Sequence, residues 1–491
     1  MNFIGISAGF HDAAVSVVDD HGNILFAGHS ERYSKKKHDK DICEELLTDA
    51  LPYANSEQLE YHYYERPWLK SLRQLRSGEG FIWPTWEKIL GSAYSQMSEP
   101  KIHTHGHHLC HAAAGFQTSP FDDATVVVID AIGEFDTITI WDAWYDFVTD
   151  KAQYKKLWSM QYPDSIGLFY SAMTERVGLR PLDEEYILMG MAAYGQPIHL
   201  NEMMDEIVDD RLIFKQNLHT GVSKDFLKDA DLMDIASSSQ HLVEHMITTV
   251  MAKARIMGSS SNLVYGGGVA LNCVANRLLG NYYENIWIMP NPGDAGNSLG
   301  AACLGQGGKV NWVDAFLGYG ISGDYPVNSL LDVLLSDSIV GVASGRAEFG
   351  PRALGNRSLL ADPRGGRIKD KVNQIKRRQK FRPFAPVILE EYVHQYFTMP
   401  IHWDNSRYMQ VVGTCRLPEL FPAIVHHDGT SRVQTVPKDG SGIRELLEKW
   451  YILTGCPMLL NTSLNIRGEP MVNNRDDADR FAKLYGVNVL S

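Results

Sequence analysis

The sequence predicts an α/β protein in two parts: a larger unit over residues 1–325, built from two similar lobes around a cleft, and a smaller α+β unit over residues 335–491. Three observations predict it. At 491 residues the chain exceeds one ordinary core. Two sets of strands, each followed by helices, begin at "FIGIS" and at "ATVVVID". The stretch "GQGGKVNWVDAFLGYGISGDYPVNS", from Gly305 to Ser329, is glycine-rich and loses periodicity, which marks a linker. The pattern then restarts at "SIVGVASG", and the remainder, about 150 residues, is a common domain size.

The N-terminus alternates as three strands, "FIGIS", "AAVSVVD" and "NILFAGHS", with "DDHGN" turning the last two into a hairpin. The second set runs through "ATVVVID" and "TITIWDAWYD". "SIGLFYSAMTERVG" spaces Ile166, Phe169, Tyr170 and Met173 on one helical face and stops near Gly178. Residues from about 225 to 257 are helical in pattern. "NLVYGGGVALN" is a buried strand entering a glycine turn, "NIWIMP" is a strand, and "GNSLGAACLG" opens a helix.

Charge and cysteine usage narrow the class. With 46 basic and 59 acidic residues the net charge is −13, which argues against a broad nucleic-acid surface. The locally basic run "KDKVNQIKRRQKFR" suits a phosphate-bearing small molecule instead. The apolar runs are too short to span a membrane, and the start lacks the basic region of a signal peptide. Six cysteines without a C-x-x-C pair read as reduced thiols of a cytoplasmic protein. A homodimer is compatible with the sequence but not specified by it.

Three glycine loops then stand out. In "GISAGFHDAA" small residues follow a strand, with His11 and Asp12 at the tip. "GGGVALNCVAN" lacks both the G-K-[ST] and the G-x-G-x-x-G signatures. "NPGDAGNSLGAA" sets Asp294 at a helix entrance. A single such loop is weak. Three in this order make the pattern of the actin-like ATPase superfamily, whose two lobes clamp a nucleotide.

The segment "HTHGHHLCH" holds five histidines between His103 and His111. His107 and His111 stand four apart and share a helix face, as a metal pair requires. Asp130, ending "TVVVID", and Asp294 supply carboxylates if the lobes face each other. Two imidazoles with carboxylates suit Fe(II), Mn(II) or Zn(II). His103, His105 and His108 are expected to pack or face solvent. In the second unit "SGRAEFGPRALGNRSLLADPR" brings Arg346, Arg352, Arg357 and Arg364 together among Gly and Pro. Surface solvation is the ordinary reading of scattered arginines. Their bracketing by Gly, Pro and apolar residues suggests a pocket of forked donors for phosphate and carboxylate.

Taken in order, "GISAGFHDAAV", "ERYSKKKHD", "HHLCHAA", "VVIDAIGE", "MGMAAYG", "GGGVALNCVAN", "PGDAGNSLGAA", "EFGPRALGNRS", "FRPFAP", "HDGTSRVQTV" and "LNTSLNIRGEP" resemble the O-carbamoyltransferases of nodulation-factor and antibiotic biosynthesis, among them the tobramycin and cephamycin carbamoyltransferases. The resemblance covers nearly the whole chain. It implies an actin-like (ASKHA, Kae1-like) two-lobed ATPase-type domain followed by a YrdC-like domain. It implies that the second domain makes carbamoyl-adenylate from carbamoyl phosphate and ATP with Mg2+, and that the first transfers the carbamoyl group to an acceptor hydroxyl. On this resemblance His107, His111, Asp130 and Asp294 hold a divalent metal, Fe2+ ahead of Mn2+ or Zn2+. His11 or Asp12 takes the acceptor proton. Lys37, His38, Gly133, Glu134, Gly267, Gly268, Asn272 and Asn297 contact the adenylate in the first domain. Arg352, Lys376, Arg382, Arg432, Asn461, Ser463, Asn465 and Arg467 hold ATP and carbamoyl phosphate in the second.

Some positions depart from the family pattern. Ile187 stands where a lysine is usual, Ala131 follows the metal aspartate in place of glycine, Asp136 replaces a small residue, and Gln379 and Lys380 alter the basic turn. Ile187 is either a changed contact in the cleft or a core residue beside Leu188 and Met191. The acceptor is a sugar, a natural product, or a hydroxymethylated nucleotide or DNA base. Two other functions compete. Hydrogenase-maturation carbamoylation uses the same domain types but adds C-x-x-C fingers, which are missing here. A non-catalytic nucleotide sensor on an actin-like scaffold would not need the His/Asp set.

Overall fold

The computed structural model describes all residues except 55–57, 79, 82, 98, 99 and 441. The chain forms two compact units. The first comprises Met1–Ser30 and His38–Val313; the second comprises Glu31–Lys37 and Asp314–Ser491. The division falls before the 325–335 interval suggested by the sequence, and the short N-terminal segment Glu31–Lys37 belongs to the second unit.

The first unit contains one sheet plan twice. In the first copy the strands run in the order Ile24–His29, Ala14–Asp19, Asn2–Ser7, Leu59–Tyr63, Ile102–Thr104; the first three are antiparallel and the last two join in parallel. In the second copy the order is Ala152–Gln161, Asp136–Tyr145, Asp123–Gly133, Asn262–Gly266, Asn285–Trp287, with the same pattern of directions. The two lobes read from the strand sets are therefore present. The hairpin turn closes as expected, with Asp19 Oδ1 accepting from the backbone amides of His21 and Asn23.

Two helices join the lobes where the site lies. His107–Thr118 is almost wholly buried, and its Ala112 and Phe116 pack on Val126, Val128 and Val264. Asn297–Gln306 lies against it, because Gly300 lets its backbone reach the Cys110 carbonyl, and Gly5 of the first strand in turn lets that strand reach the helix's Ser298 carbonyl. A Cβ at either glycine would overlap those backbone atoms. The long helix Leu232–Met257 starts later than the expected 225, where the Asp231 side chain caps the Met233 amide. "NIWIMP" is extended as a strand only over Asn285–Trp287.

In the second unit a six-stranded sheet runs Gln434–Val436, Ala385–Leu389, Met458–Ser463, Arg357–Ala361, Ile339–Ala343, Val489–Leu490. Helices Val327–Asp337 and Gly442–Thr454 cover it with Leu330, Leu334, Leu446 and Leu447. The linker expectation for 305–329 is corrected. Phe316–Ile321 is a strand paired with Gly345–Glu348 across a register shift, and a helix starts at Val327. Glycines at 318 and 320 hid its alternation. Among the described residues no helix is long and apolar enough to cross a membrane. All six cysteines are free thiols.

Candidate active site

The i, i+4 pair lies at the start of the helix His107–Thr118, as the spacing required. His107 Nε2 is 3.2 Å and His111 Nε2 3.0 Å from Asp130 Oδ2. Asp294 Oδ1 is 3.4 and 3.5 Å from the same two nitrogens. Asp130 lies three residues before the end of the strand Asp123–Gly133, and its Oδ1 is held by the amides of Ala131 at 2.8 Å and Gly268 at 3.3 Å, which turns Oδ2 toward the histidines. Gly267 permits that approach: its φ is 88°, and a Cβ there would strike the Ile129 carbonyl. Gly133 packs directly on the His107 and His108 rings.

Electrostatics bind the four groups together. Burial opposes charge on His107 and His111, but Asp294 and Asp130 outweigh it and raise both imidazoles. Burial likewise opposes ionisation of Asp130, and the two histidines outweigh it, holding the carboxyl well below the usual range. Without a metal, two imidazolium N–H groups converge on one carboxylate oxygen. A divalent cation satisfies the same four atoms with no proton between them, so the donor set fits such an ion. Nearby, Asn297 Nδ2 lies 3.0 Å from His111 Nε2, and among the described residues its Oδ1 has no partner. The Tyr64 ring packs on His107 at 5.2 Å between centroids, and its buried hydroxyl is also without a partner among the described residues.

The other three histidines of the cluster take other partners, His103 stacking on His62 at 5.2 Å between centroids. His108 is buried on Thr139 Oγ1 at 2.9 Å. His105 meets His62 Nδ1 at 2.9 Å, and burial pushes both of these imidazoles down to about 4.

A second group forms at the first glycine loop. Asp12 Oδ2 is 2.7 Å from His11 Nδ1, and Asp12 Oδ1 is 2.8 Å from His38 Nδ1. The far nitrogens reach the Leu182 carbonyl at 2.9 Å and Asp183 Oδ1 at 2.9 Å. These oxygens only accept, so each ring donates from both nitrogens. Burial opposes charge on His11, but Asp12 prevails and the pKa is pushed up to about 9. Asp183 is held in turn by Arg180 at 2.7 Å.

Asp12, His38 and Glu134 have φ of 50°, 55° and 58°, a region that costs a non-glycine residue of order 1–3 kcal/mol. Arg66 holds Glu134 there through its backbone amide at 2.6 Å and its guanidinium at 3.1 and 2.7 Å. Asn272 exchanges two hydrogen bonds with Gln240, each 3.1 Å, so its side chain fastens the glycine loop to the long helix. Lys37, expected in the first unit, is carried by the second. Asp136 pairs with Lys156 at 2.7 Å. Ile187 is 1% exposed and packs as a core residue, like Leu188 and Met191. Arg66, Tyr64, Asp183 and Gln240 were not read from the sequence; each acts through a neighbour that only the fold supplies.

In the second unit, buried Lys376 donates from Nζ to the Ser463 carbonyl, to Ser463 Oγ at 3.0 Å and to Asn465 Oδ1 at 2.7 Å. Burial, then Arg378, Arg382 and Lys37, lower its pKa well below the usual value. Asn461 gives Nδ2 to Gln434 Oε1 at 2.7 Å and to the Ala353 carbonyl at 3.0 Å, beside Arg352. Its Oδ1, and the buried Nε of Arg432, have no partner among the described residues. The Arg467 side chain is exposed. Three of the clustered arginines are structural, which corrects the pocket reading for them. Arg357 is fully buried and donates to five backbone carbonyls. Arg346 donates to the carbonyls of Leu317 and Gly318, and Arg364 pairs with Asp362.

The carbamoyltransferase N-terminus profile matches residues 63–303, and the carbamoyltransferase C-terminus profile matches residues 331–491. The chain belongs to the carbamoyltransferase family. An uncharacterised protein of Synechocystis sp. is 33% identical over 98% of this chain and 94% of its own length. Nodulation protein NolNO of Sinorhizobium fredii is 29% identical over 95% of this chain and 76% of its own. The 3'-hydroxymethylcephem-O-carbamoyltransferase of Amycolatopsis lactamdurans is 26% identical over 97% and 96%. The family includes O-carbamoyltransferases, and carbamoyl transfer is the enzymatic class of the chain.

Proposed function

We propose that this carbamoyltransferase is an ATP-dependent O-carbamoyltransferase working through carbamoyl-adenylate. Carbamoyl phosphate loses its phosphate to water; the resulting carbamate attacks the α-phosphate of ATP, and pyrophosphate leaves. Carbamate is a poor acyl donor, and AMP is a far better leaving group. An acceptor hydroxyl then attacks the carbamoyl carbon and AMP departs. The observation that carries the reading is the convergence of His107, His111, Asp130 and Asp294 on one point in the first unit.

In the second unit, with a YrdC-like role, Lys376, Arg352, Arg382, Arg432 and Arg467 neutralise phosphates. Asn461, with its open carbonyl oxygen, orients the carbamoyl group, and Ser463 and Asn465 fix Lys376. In the first unit, in the role of an actin-like lobe pair, Gly133, Gly267 and Gly268 let backbone approach the adenylate. A bound divalent cation, Fe2+ or alternatively Mn2+ or Zn2+, would orient the phosphate and polarise the carbonyl. Either Asp12 or the neutral form of His11, populated as pH rises toward about 9, takes the acceptor proton. The relative that acts on a hydroxymethylcephem favours a hydroxymethyl or sugar hydroxyl as acceptor. The test is pyrophosphate release from ATP and Mg2+ that depends on carbamoyl phosphate, followed by mass spectrometry for gain of one CONH on candidate hydroxyl compounds. Absence of pyrophosphate release overturns the reading.

A further inference from the structure

Tyr64 presents an anomaly. It is fully buried, and its hydroxyl meets no hydrogen-bonding atom among the described residues. A phenol oxygen sealed from water without a partner is costly, and buried tyrosines ordinarily find one. The neighbouring Tyr63 does so, donating to the Ala8 carbonyl at 2.5 Å. Tyr64 sits immediately beside the four-residue centre, its ring tilted against His107 at 5.2 Å. Asn297, whose Nδ2 lies 3.0 Å from His111 Nε2, likewise keeps a buried oxygen without a partner among the described residues. Each of the two imidazoles thus has a side chain with an uncommitted polar atom against it, a donor on Tyr64 beside His107 and an acceptor on Asn297 beside His111.

We propose that the Tyr64 hydroxyl is a ligand-binding group of this centre, donating a hydrogen bond to an oxygen of carbamoyl-adenylate bound there. The inference rests on the functional reading above and adds to it a residue and a role. Asn297 Oδ1 is the complementary acceptor, suited to the N–H of a carbamoyl group. A hydroxyl that waits for a ligand has an opposite stability signature from one that supports the fold. Removing it relieves a buried unsatisfied group in the empty protein and removes a contact in the loaded one.

The experiment compares the full-length wild type with Tyr64→Phe, which keeps the ring packing. Chelator-treated Tyr64→Phe should melt at or above the wild-type temperature. With Mn(II) added, synthetic carbamoyl-adenylate should bind Tyr64→Phe about tenfold more weakly by calorimetry, the effect of one lost hydrogen bond. Asn297→Asp, which keeps an acceptor but alters the amide, reports the same site through its own loss of adenylate affinity. A metal-free Tyr64→Phe that melts below wild type overturns the proposal, because the hydroxyl then has a structural partner. Equal adenylate affinity in the two proteins overturns it as well, with the functional reading intact. A wild type that binds no carbamoyl-adenylate defeats the functional reading and this proposal together.

Discussion

His107 Nε2 and His111 Nε2 lie 3.2 Å apart, both turned to the same oxygen of Asp130. Two cationic rings do not settle at that distance for their own sake. The carboxylates of Asp130 and Asp294 hold them, and one divalent cation replaces both protons. His111→Ala should therefore lose bound metal by elemental analysis. Pyrophosphate release in the second unit should persist, since none of its residues belongs to this centre. Unchanged metal content would refute the ligand assignment.

Gly133 tests the same centre without touching a ligand. A Cβ there would overlap Cδ2 of both His107 and His108, leaving no space for either ring. Gly133→Ala should displace His107 and weaken metal binding by at least tenfold in a competition titration. Gly178→Ala is the control, because nothing lies near its added Cβ. Its positive φ costs roughly 1 kcal/mol of stability but should leave metal affinity alone.

The strands built on short, nearly continuous apolar runs between turn residues, from Asn2 to His29 and from Asp123 to Tyr145, were legible in the sequence. So was the metal pair, because its spacing alone puts both rings on one helix face. The parallel strands Leu59–Tyr63 and Ile102–Thr104 were not: they are short and carry His62 and His103, which pack against each other inside the fold. Ala152–Gln161 was missed because it is a largely unburied outer strand that interrupts its alternation with Lys155 and Lys156. The arginines misled in the opposite way. Arg357 resembles a phosphate ligand in sequence but spends its guanidinium on backbone carbonyls. Asp183 carried no signal, since an acidic residue in "RPLDEE" reads as solvated until His38 is found against it.

The His11–Asp12 pair predicts a titration. The folded protein holds the His11 proton more tightly than the unfolded chain does, with a pKa raised from 6.5 to about 9. Its contribution to stability is full below 6.5 and is lost as pH rises through about 9. Isotope-labelled histidine NMR should show the His11 ring titrating near 9. Asp12→Asn should bring that midpoint below 6.5, because burial alone lowers it. If His11 is the base, acceptor carbamoylation at constant metal loading rises with pH toward the same midpoint. A midpoint near 6.5 in the wild type would remove the pairing.

Lys376 is a buried cation whose hydrogen-bond partners are the neutral oxygens of Ser463 and Asn465. Burial and neighbouring cations work against its charge, so an anion placed there restores it. Carbamoyl phosphate should raise the melting temperature of the wild type and have less effect on Lys376→Met. Pyrophosphate release should fall by roughly 30–1000-fold in Lys376→Met and in Arg432→Ala, corresponding to about 2–4 kcal/mol of transition-state stabilisation. Metal content should not change. Full pyrophosphate release in either variant would remove that residue from adenylation.

The sequence resemblance sets Ile187 against a family lysine, and its burial decides what such a replacement would mean. The side chain is 1% exposed on the helix Glu185–Met191, whose Leu188 and Met191 are buried as well. A lysine introduced there must bury its charge, lose its proton, or force the helix outward. The first two cost on the order of 2–4 kcal/mol, and the third disrupts packing against the long helix. Ile187→Lys should therefore lower the melting temperature by several degrees, while metal binding per folded molecule and pyrophosphate release stay at wild-type values. Asp136, another departure from the family pattern, is paired with Lys156 at 2.7 Å. A variant of unchanged stability with altered acceptor preference would instead place position 187 in the acceptor site.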